Sequence, residues 1–300
     1  MASRLERNRK RLTEVFSRGE TRHAVLIGHP PPEGECPPDY TTSRRPVREW
    51  VPHLLRDYER RVAWLDALDH DDVPYVCPAT HTGVFAAAFG CPVHTFEGSN
   101  PAAGPIVRTP AEADGLRKPR LDTPPLNRVF ELADLLRERL GPDAPISVPD
   151  IQSPFDIAAI VWRKEDLYMA MRDAPEAVQT LEAKCHALLE EFLTEFLKRH
   201  PAANLVHCPS VWAPNFLGCS LSEDEAGCMS SAMFARFCLP TLAALSQRFG
   251  GLFLHCCADA DHQYPAFLSV PNLRSMNRVF TRDPATTICA FAGRAALTVA

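Results

Sequence analysis

Residues 250–257 have the sequence Gly-Gly-Leu-Phe-Leu-His-Cys-Cys, which predicts a buried strand that ends in polar side chains. Alternate side chains of an extended strand share a face. His255 and Cys257 are therefore expected to point the same way, and Cys256 the opposite way. The polar end of this strand is a candidate site.

The pair formed by His255 and Cys257 has two interpretations. Imidazole nitrogen and thiolate sulfur are ligands that zinc prefers, and a catalytic zinc takes three protein ligands and leaves a fourth position open. Only two such ligands, His255 and Cys257, share a face in this stretch. Alternatively, buried free cysteines are common, and a histidine at a strand end is often only hydrogen-bonded.

Along the chain, short apolar segments alternate with longer helical patterns, which is typical of βα units around a parallel sheet. An α/β barrel of about 250 residues is routinely one domain. We therefore expect residues 1–50 to form an N-terminal helix and a Pro-rich arm, and residues 51–300 to form one barrel domain. The predicted strands are 24–28, 73–77, 146–150, 205–207, 252–257, 273–277 and 295–299.

Two helices are predicted from clear signals. Asp173 and Pro175 are expected to cap and begin a helix with an apolar stripe running from Val178 to Phe196. A second helix is expected to begin at about Ser230, with Pro240 bending or dividing it.

Composition limits the class of function. The formal net charge of −5 provides no basic field for nucleic acid or anionic lipid, so the expected partner is a small molecule. The chain contains 11 cysteines, but its first residues enter a charged amphipathic pattern without an apolar signal core. We therefore expect a cytoplasmic protein whose thiols are core residues or metal ligands, and no membrane-spanning segment.

Parallel barrels carry their chemistry at the carboxyl ends of the strands. Asp150 and Gln152 follow the third predicted strand, share one face, and could hydrogen-bond a polar substrate. Asp156 is expected to cap the next helix. His207 ends the fourth strand and is either a structural residue or a ligand.

Two further strand ends remain open to interpretation. The acidic run 222–225, which contains Asp224, is either a solvated turn or helix cap, or a part of the site. Asn277 either faces the site or satisfies a turn.

The order and spacing of several segments resemble the uroporphyrinogen decarboxylase superfamily, over roughly residues 60–280. The resemblance implies a TIM (β/α)8-type barrel. Within that superfamily, the His-x-Cys pair at 255–257 resembles zinc-dependent methyltransferases that exchange methyl groups between a corrinoid protein and a thiol. In those enzymes a third zinc ligand is a cysteine near the last strand. The matching segments are 73–75 with 83 and 89–90, 150–158, 173–176, 222–240 and 254–257.

The chain departs from both branches of that superfamily. The true decarboxylases bind their substrate with an Arg-rich segment that has a Gly-Arg-Tyr core, which is absent here, although Arg44, Arg45 and Arg48 could offer positive charge or face solvent. Their catalytic aspartate is also missing, because the second strand continues as Val-Cys-Pro-Ala-Thr at 76–80. We expect the chain to stop before the eighth strand and its cysteine ligand, for which Cys289 is a poor substitute by position.

The function predicted from the resemblance is methyl transfer from a corrinoid, carried by a partner protein, to a thiol bound at zinc. His255 and Cys257 are the expected zinc ligands. Asp150, Gln152 and Asp224 are expected to be catalytic, through orientation of the substrate or tuning of the metal. His207 and Asn277 are expected to bind the substrate. The alternatives are cofactor-free decarboxylation of the tetrapyrrole uroporphyrinogen, or an inactive fragment or non-catalytic family member.

Overall fold

A computed structural model describes residues 2–18, 25–31, 39–97, 99–279 and 283–298. The helices are α1 Ala2–Arg18, α2 Val51–Ala67, α3 Val84–Ala88, α4 Pro110–Gly115, α5 Leu126–Leu140, α6 Pro154–Val161, α7 Lys164–Asp173, α8 Pro175–Arg199, α9 Ser231–Phe237, α10 Leu239–Phe249, α11 Tyr264–Phe267 and α12 Pro284–Phe291. The strands are β1 Val93–Phe96, β2 Ser99–Ala103, β3 Cys219–Ser222, β4 Leu252–Cys256, β5 Leu273–Arg278 and β6 Ala296–Thr298.

The main sheet is parallel, with the strand order β3-β4-β5-β6. Isolated parallel bridges extend it: Val76 pairs with Ile146, and Ser147 pairs with Asn204. The segment that contains Asn204 is joined in turn to β3, because the Ser220 amide donates to the Leu205 carbonyl at 2.9 Å. The described segments thus form an arc of parallel neighbours in chain order. The predicted α/β class with a parallel sheet is confirmed.

The three predicted strands nearest the C-terminus are confirmed, whereas the four predicted before them are not regular strands in the described residues. The predicted strands 252–257, 273–277 and 295–299 correspond to β4, β5 and β6, with residue 299 outside the described residues. Segments 73–77 and 146–150 contain only isolated bridges. Each includes a proline, Pro74 or Pro149, which has no N–H for a continuous ladder.

Four further differences concern short segments. Residues 205–207 and 25–28 form no strand, and residue 24 lies outside the described residues. The sequence prediction missed β3, whose Cys-Ser-Leu-Ser is fully buried although serine is not typical of buried strands. It also missed the antiparallel pair of β1 and β2.

The two helix predictions are confirmed in position, with one correction. Helix α8 begins at Pro175, and the chain is divided at Pro240 between α9 and α10. Asp173 is not the cap of α8, because it ends α7 and its carboxylate pairs with Arg172 at 2.7 Å. The N-cap position of α8 is occupied by Ala174, whose side chain has no acceptor for the first amides of the helix.

Helix α1 packs against the inner face of the arc. The Phe16 ring lies 5.0 Å from the Phe253 ring, centroid to centroid, while Leu252 and Leu254 pack in the other core cluster. The amide of Asn8 fixes the helix by donating to the carbonyls of His70 and Asp72, each at 2.9 Å. Phe253 and His255 alternate onto the same face, so the histidine stands on the inner side of the arc. Among the described helices, none is long and apolar enough to cross a membrane.

Candidate functional site

One row of polar side chains runs across the carboxyl edge of the arc. Gln152 bridges to Ser222, Ser222 is the register partner of His255, and His255 is the partner of Asn277. Thr298 is the partner of Asn277 in turn. Neighbouring strands lie about 4.8 Å apart, so these residues form one continuous row.

A group of three potential metal ligands stands at this row. A carboxylate oxygen of Asp224, a ring nitrogen of His255 and the sulfur of Cys257 all lie within 4.8 Å of one another. The Asp224 carboxylate also accepts a hydrogen bond from the Cys257 amide at 2.6 Å. The acidic run 222–225 is therefore not simply a solvated turn: it places Asp224 beside the predicted His-x-Cys pair and buries Glu223 completely.

Asn277 determines how His255 presents its ring. Asn277 Nδ2 donates to the Thr298 carbonyl at 2.8 Å, which directs Oδ1 toward His255 Nδ1 at 2.5 Å. Since that oxygen can only accept, Nδ1 carries the proton and Nε2 keeps its lone pair. The sulfur of Cys208 lies 3.1 Å from the same Nδ1.

Asp156 holds the loop that carries Asp224. Its carboxylate accepts from the amides of Asp224 at 2.6 Å and Glu225 at 3.1 Å. The prediction that Asp156 caps α6 is wrong, because Ser153 Oγ accepts from the Asp156 amide at 3.0 Å and provides the cap. Burial, together with the charge of Asp224, raises the pKa of Asp156 to about 7.

Asp150, Gln152 and His207 form a second hydrogen-bonded group at the same edge. Gln152 Nε2 donates to the Asp150 carboxylate at 2.7 Å, and His207 Nε2 lies 3.5 Å from that oxygen. His207 Nδ1 lies 2.6 Å from the Ser220 hydroxyl. Burial lowers the pKa of His207, against the opposing charge of Asp150. A neutral His207 thus lies beside the Asp150 carboxylate, which remains partly exposed.

The thiols at this edge are protonated at neutral pH when no cation is bound. Burial, followed by the charges of Asp150 and Asp224, raises the pKa of Cys208 to about 12. Burial and the neighbouring Asp224 likewise raise the pKa of Cys257 to about 12. A divalent cation reverses this balance, because a coordinating thiol is deprotonated.

The donor set fits zinc. Zinc bonds of 2.0–2.3 Å place the ligands of a tetrahedral ion about 3.3–3.8 Å apart, and the candidate ligand atoms of Asp224, His255 and Cys257 all lie within 4.8 Å of one another. The hydrogen bond from His255 Nδ1 to an amide oxygen is the usual outer support of a zinc histidine. The other residues considered from the sequence are exposed and belong to no described ligand group: Arg44, Arg45, Arg48 and Cys289.

The protein is thus of the α/β class, and its candidate site is formed by side chains at the carboxyl ends of parallel strands. The family model for uroporphyrinogen decarboxylase (URO-D) matches residues 79–274, and the chain belongs to this family. A methyltransferase from Methanosarcina mazei has a similar structure, with a TM-score of 0.69 at 14% sequence identity over 97% of this chain and 82% of that chain. No curated protein sequence matches the chain.

Proposed function

We propose that this protein transfers a methyl group to a thiol, at a zinc ion held by Asp224, His255 and Cys257. The observation that carries the proposal is the convergence of these three ligand types within 4.8 Å at the carboxyl edge. The third ligand was expected to be a cysteine near an eighth strand. In this proposal Asp224 takes that place.

Each residue of the site has a distinct task. His255 binds through Nε2, because Asn277 holds the proton on Nδ1. Asp156 keeps Asp224 beside Cys257 by binding the amides of its loop. Bound zinc would lower the pKa of a thiol ligand, so that the nucleophilic thiolate is available at neutral pH.

The group of Asp150, Gln152 and His207 binds the polar part of the substrate. Gln152 is two strands from His255 in the row, so a small molecule can reach both. Asn277 was expected to bind substrate, but its amide is used by His255 and Thr298, and we assign it to the orientation of the metal ligand.

The proposed methyl donor is a methylated corrinoid carried by a partner protein. Two observations support it: the His-x-Cys pair resembles zinc methyltransferases of that kind, and the M. mazei protein of similar structure is a methyltransferase.

Decarboxylation of uroporphyrinogen is the second candidate, because the matching family model describes that enzyme. Less favourable to it is the absence of a carboxylate at the end of segment 73–77, where Cys77 stands. Arg44, Arg45 and Arg48, the residues that could replace the missing Arg-rich segment, are exposed.

The deciding experiment measures both reactions on one zinc-loaded preparation. We expect transfer from methylcobalamin to a small thiol, which Cys257→Ser and Asp224→Asn reduce by at least tenfold, while the exposed Cys289→Ser leaves it unchanged. Carbon dioxide release from uroporphyrinogen that survives Cys257→Ser, without methyl transfer, would overturn the proposal. Methyl transfer that continues after zinc is removed would overturn the proposal as well.

A further inference from the structure

The peptide group between Cys256 and Cys257 is held from both sides. Its N–H donates to the Asp224 carboxylate at 2.6 Å, and its carbonyl accepts from Arg278 Nη1 at 2.9 Å. The peptide cannot rotate without breaking one of these bonds, and hydrogen bonds arranged in a chain strengthen one another. The orientation of this peptide fixes the direction in which the Cys257 side chain leaves the main chain.

Arg278 also holds the far end of the loop that follows β4. Its Nη2 donates to the Asp261 carboxylate at 2.9 Å, and the Tyr264 hydroxyl donates to the same carboxylate oxygen at 2.7 Å. The loop from Cys256 to Asp261 is thus attached to one side chain at both of its ends. Cys257 lies between the two attachments.

The Arg278 side chain is buried, with only 1% of its surface exposed. A buried guanidinium loses its water, and this cost is offset only by an ion pair and further hydrogen bonds. Here the Asp261 carboxylate supplies the opposite charge, and the loop main chain supplies an acceptor. Packing alone would be served equally well by an apolar side chain of similar volume.

Two consecutive residues of β5 contact the segment that carries two of the proposed zinc ligands. Asn277 is the register partner of His255, and Arg278 is the register partner of Cys256. Successive side chains of a strand point to opposite faces. Asn277 therefore bonds the His255 ring on the inner face, whereas Arg278 lies on the outer face and bonds the peptide that leads to Cys257.

We infer that Arg278 is a positioning residue of the candidate zinc site, which places the Cys257 sulfur beside Asp224 and His255 without contacting the metal. Its role at the zinc rests on the proposed function, whereas its hold on the loop does not. Arg278→Met removes both attachments. Arg278→Lys keeps the charge but lacks the planar fork that binds the two acceptors through separate nitrogens.

Titration of the metal-free protein with zinc and with cobalt(II) tests the inference, because a thiolate bound to cobalt gives a charge-transfer band in the near ultraviolet. We expect Arg278→Met to bind zinc roughly 10–100-fold more weakly and to lose most of this band, and Arg278→Lys to recover part of both. The matched control is Arg274→Met. Arg274 is on the same strand but near its other end, and it also donates to main-chain carbonyls, those of Leu217, Ser17 and Gly250. The control should destabilise the fold without changing the zinc affinity or the band.

Hydrogen exchange of the Cys257 amide in the metal-free protein provides a measurement that needs no zinc. We expect faster exchange in Arg278→Met than in Arg274→Met, because only the first variant releases the peptide that bears this amide. If Arg278→Met does not fold, Arg278→Lys provides the same comparison.

The outcomes separate this inference from the proposed function. Equal exchange in the wild type and the Arg278 variants overturns the hold on the loop. A cobalt band and a zinc affinity that the Arg278 variants retain in full overturn the positioning role alone. Absence of the band from the wild type contradicts the zinc site itself, and with it any role of Arg278 there.

Discussion

Asn277 Oδ1 and His255 Nδ1 lie 2.5 Å apart, on neighbouring strands and in direct register. Because the other end of the Asn277 amide is tied to the Thr298 carbonyl, the orientation of the histidine ring depends on the pairing of β5 with β6.

Asn277→Ala is therefore expected to weaken zinc binding by roughly 10–100-fold, the usual effect of removing an outer partner of a metal ligand. Competition with a chromogenic chelator measures the affinity. Ser275→Ala is the control, since Ser275 is on the same face of β5 and its hydroxyl lies 3.0 Å from the Thr298 hydroxyl. Equal zinc affinities of the two variants would contradict the orienting role.

Asp156→Ala is expected to impair both stability and zinc binding. It leaves the amides of Asp224 and Glu225 without their acceptor, at a cost of about 1–3 kcal/mol for each buried donor. Ser153→Ala removes the cap of α6 but keeps the Asp156 carboxylate, and it is expected to cost about 1 kcal/mol without changing zinc affinity. Urea denaturation and zinc titration of both variants measure the difference. If Asp156→Ala bound zinc like the wild type, the loop would not depend on this carboxylate.

The stability of the protein is expected to fall as pH rises, owing to Glu182 on α8. Burial raises the pKa of Glu182 from 4.5 to about 8, although the hydrogen bond from Thr241 at 2.7 Å opposes this. Between these two values the folded state holds a proton that the unfolded state has lost. The free energy of unfolding therefore decreases by up to about 1.4 kcal/mol per pH unit. Urea denaturation of wild type and Glu182→Gln from pH 5 to 8 tests this, and parallel curves would contradict it.

Phe16→Ala is expected to destabilise the protein by about 3–5 kcal/mol, because it removes a buried ring packed on Phe253. The same substitution at Phe216, which is 67% exposed, provides the control and should cost less than about 0.5 kcal/mol. Thermal and urea denaturation measure both. A small effect at Phe16 would show that α1 is not part of the core.

The sequence predicted strand β4 and two helix boundaries, because these depend on residues close together in the chain. The apolar run before His255 predicts β4, and Pro175 and Pro240 begin or divide helices because proline cannot continue a helix from the preceding turn. The relation of His255 to Cys257 follows from the period of two in a strand.

The contacts that complete the site could not be predicted in this way. Asp156 is 68 residues from Asp224, and its position in the first turn of α6 is equally typical of a cap. The acidic run at 222–225 has the composition of a solvated turn, and only the pairing of β3 with β4 brings Asp224 to Cys257. Segments 73–77 and 146–150 each contain a proline and pair with their parallel neighbours only at single residues. The apolar pattern of such a segment is the same as that of a regular strand, so the sequence pattern alone does not tell the two apart.

X-ray absorption at the zinc edge tests the central claim most directly, because it counts the sulfur ligands of the bound ion. The proposal predicts one sulfur at about 2.3 Å, with the remaining ligands being nitrogen and oxygen at about 2.0–2.2 Å, and a second sulfur on addition of a small thiol such as 2-mercaptoethanol. Cys257→Ser should lose the protein sulfur and keep the added one. A zinc spectrum without sulfur, or one that does not change when the thiol is added, would contradict a thiol-activating zinc site formed by Asp224, His255 and Cys257.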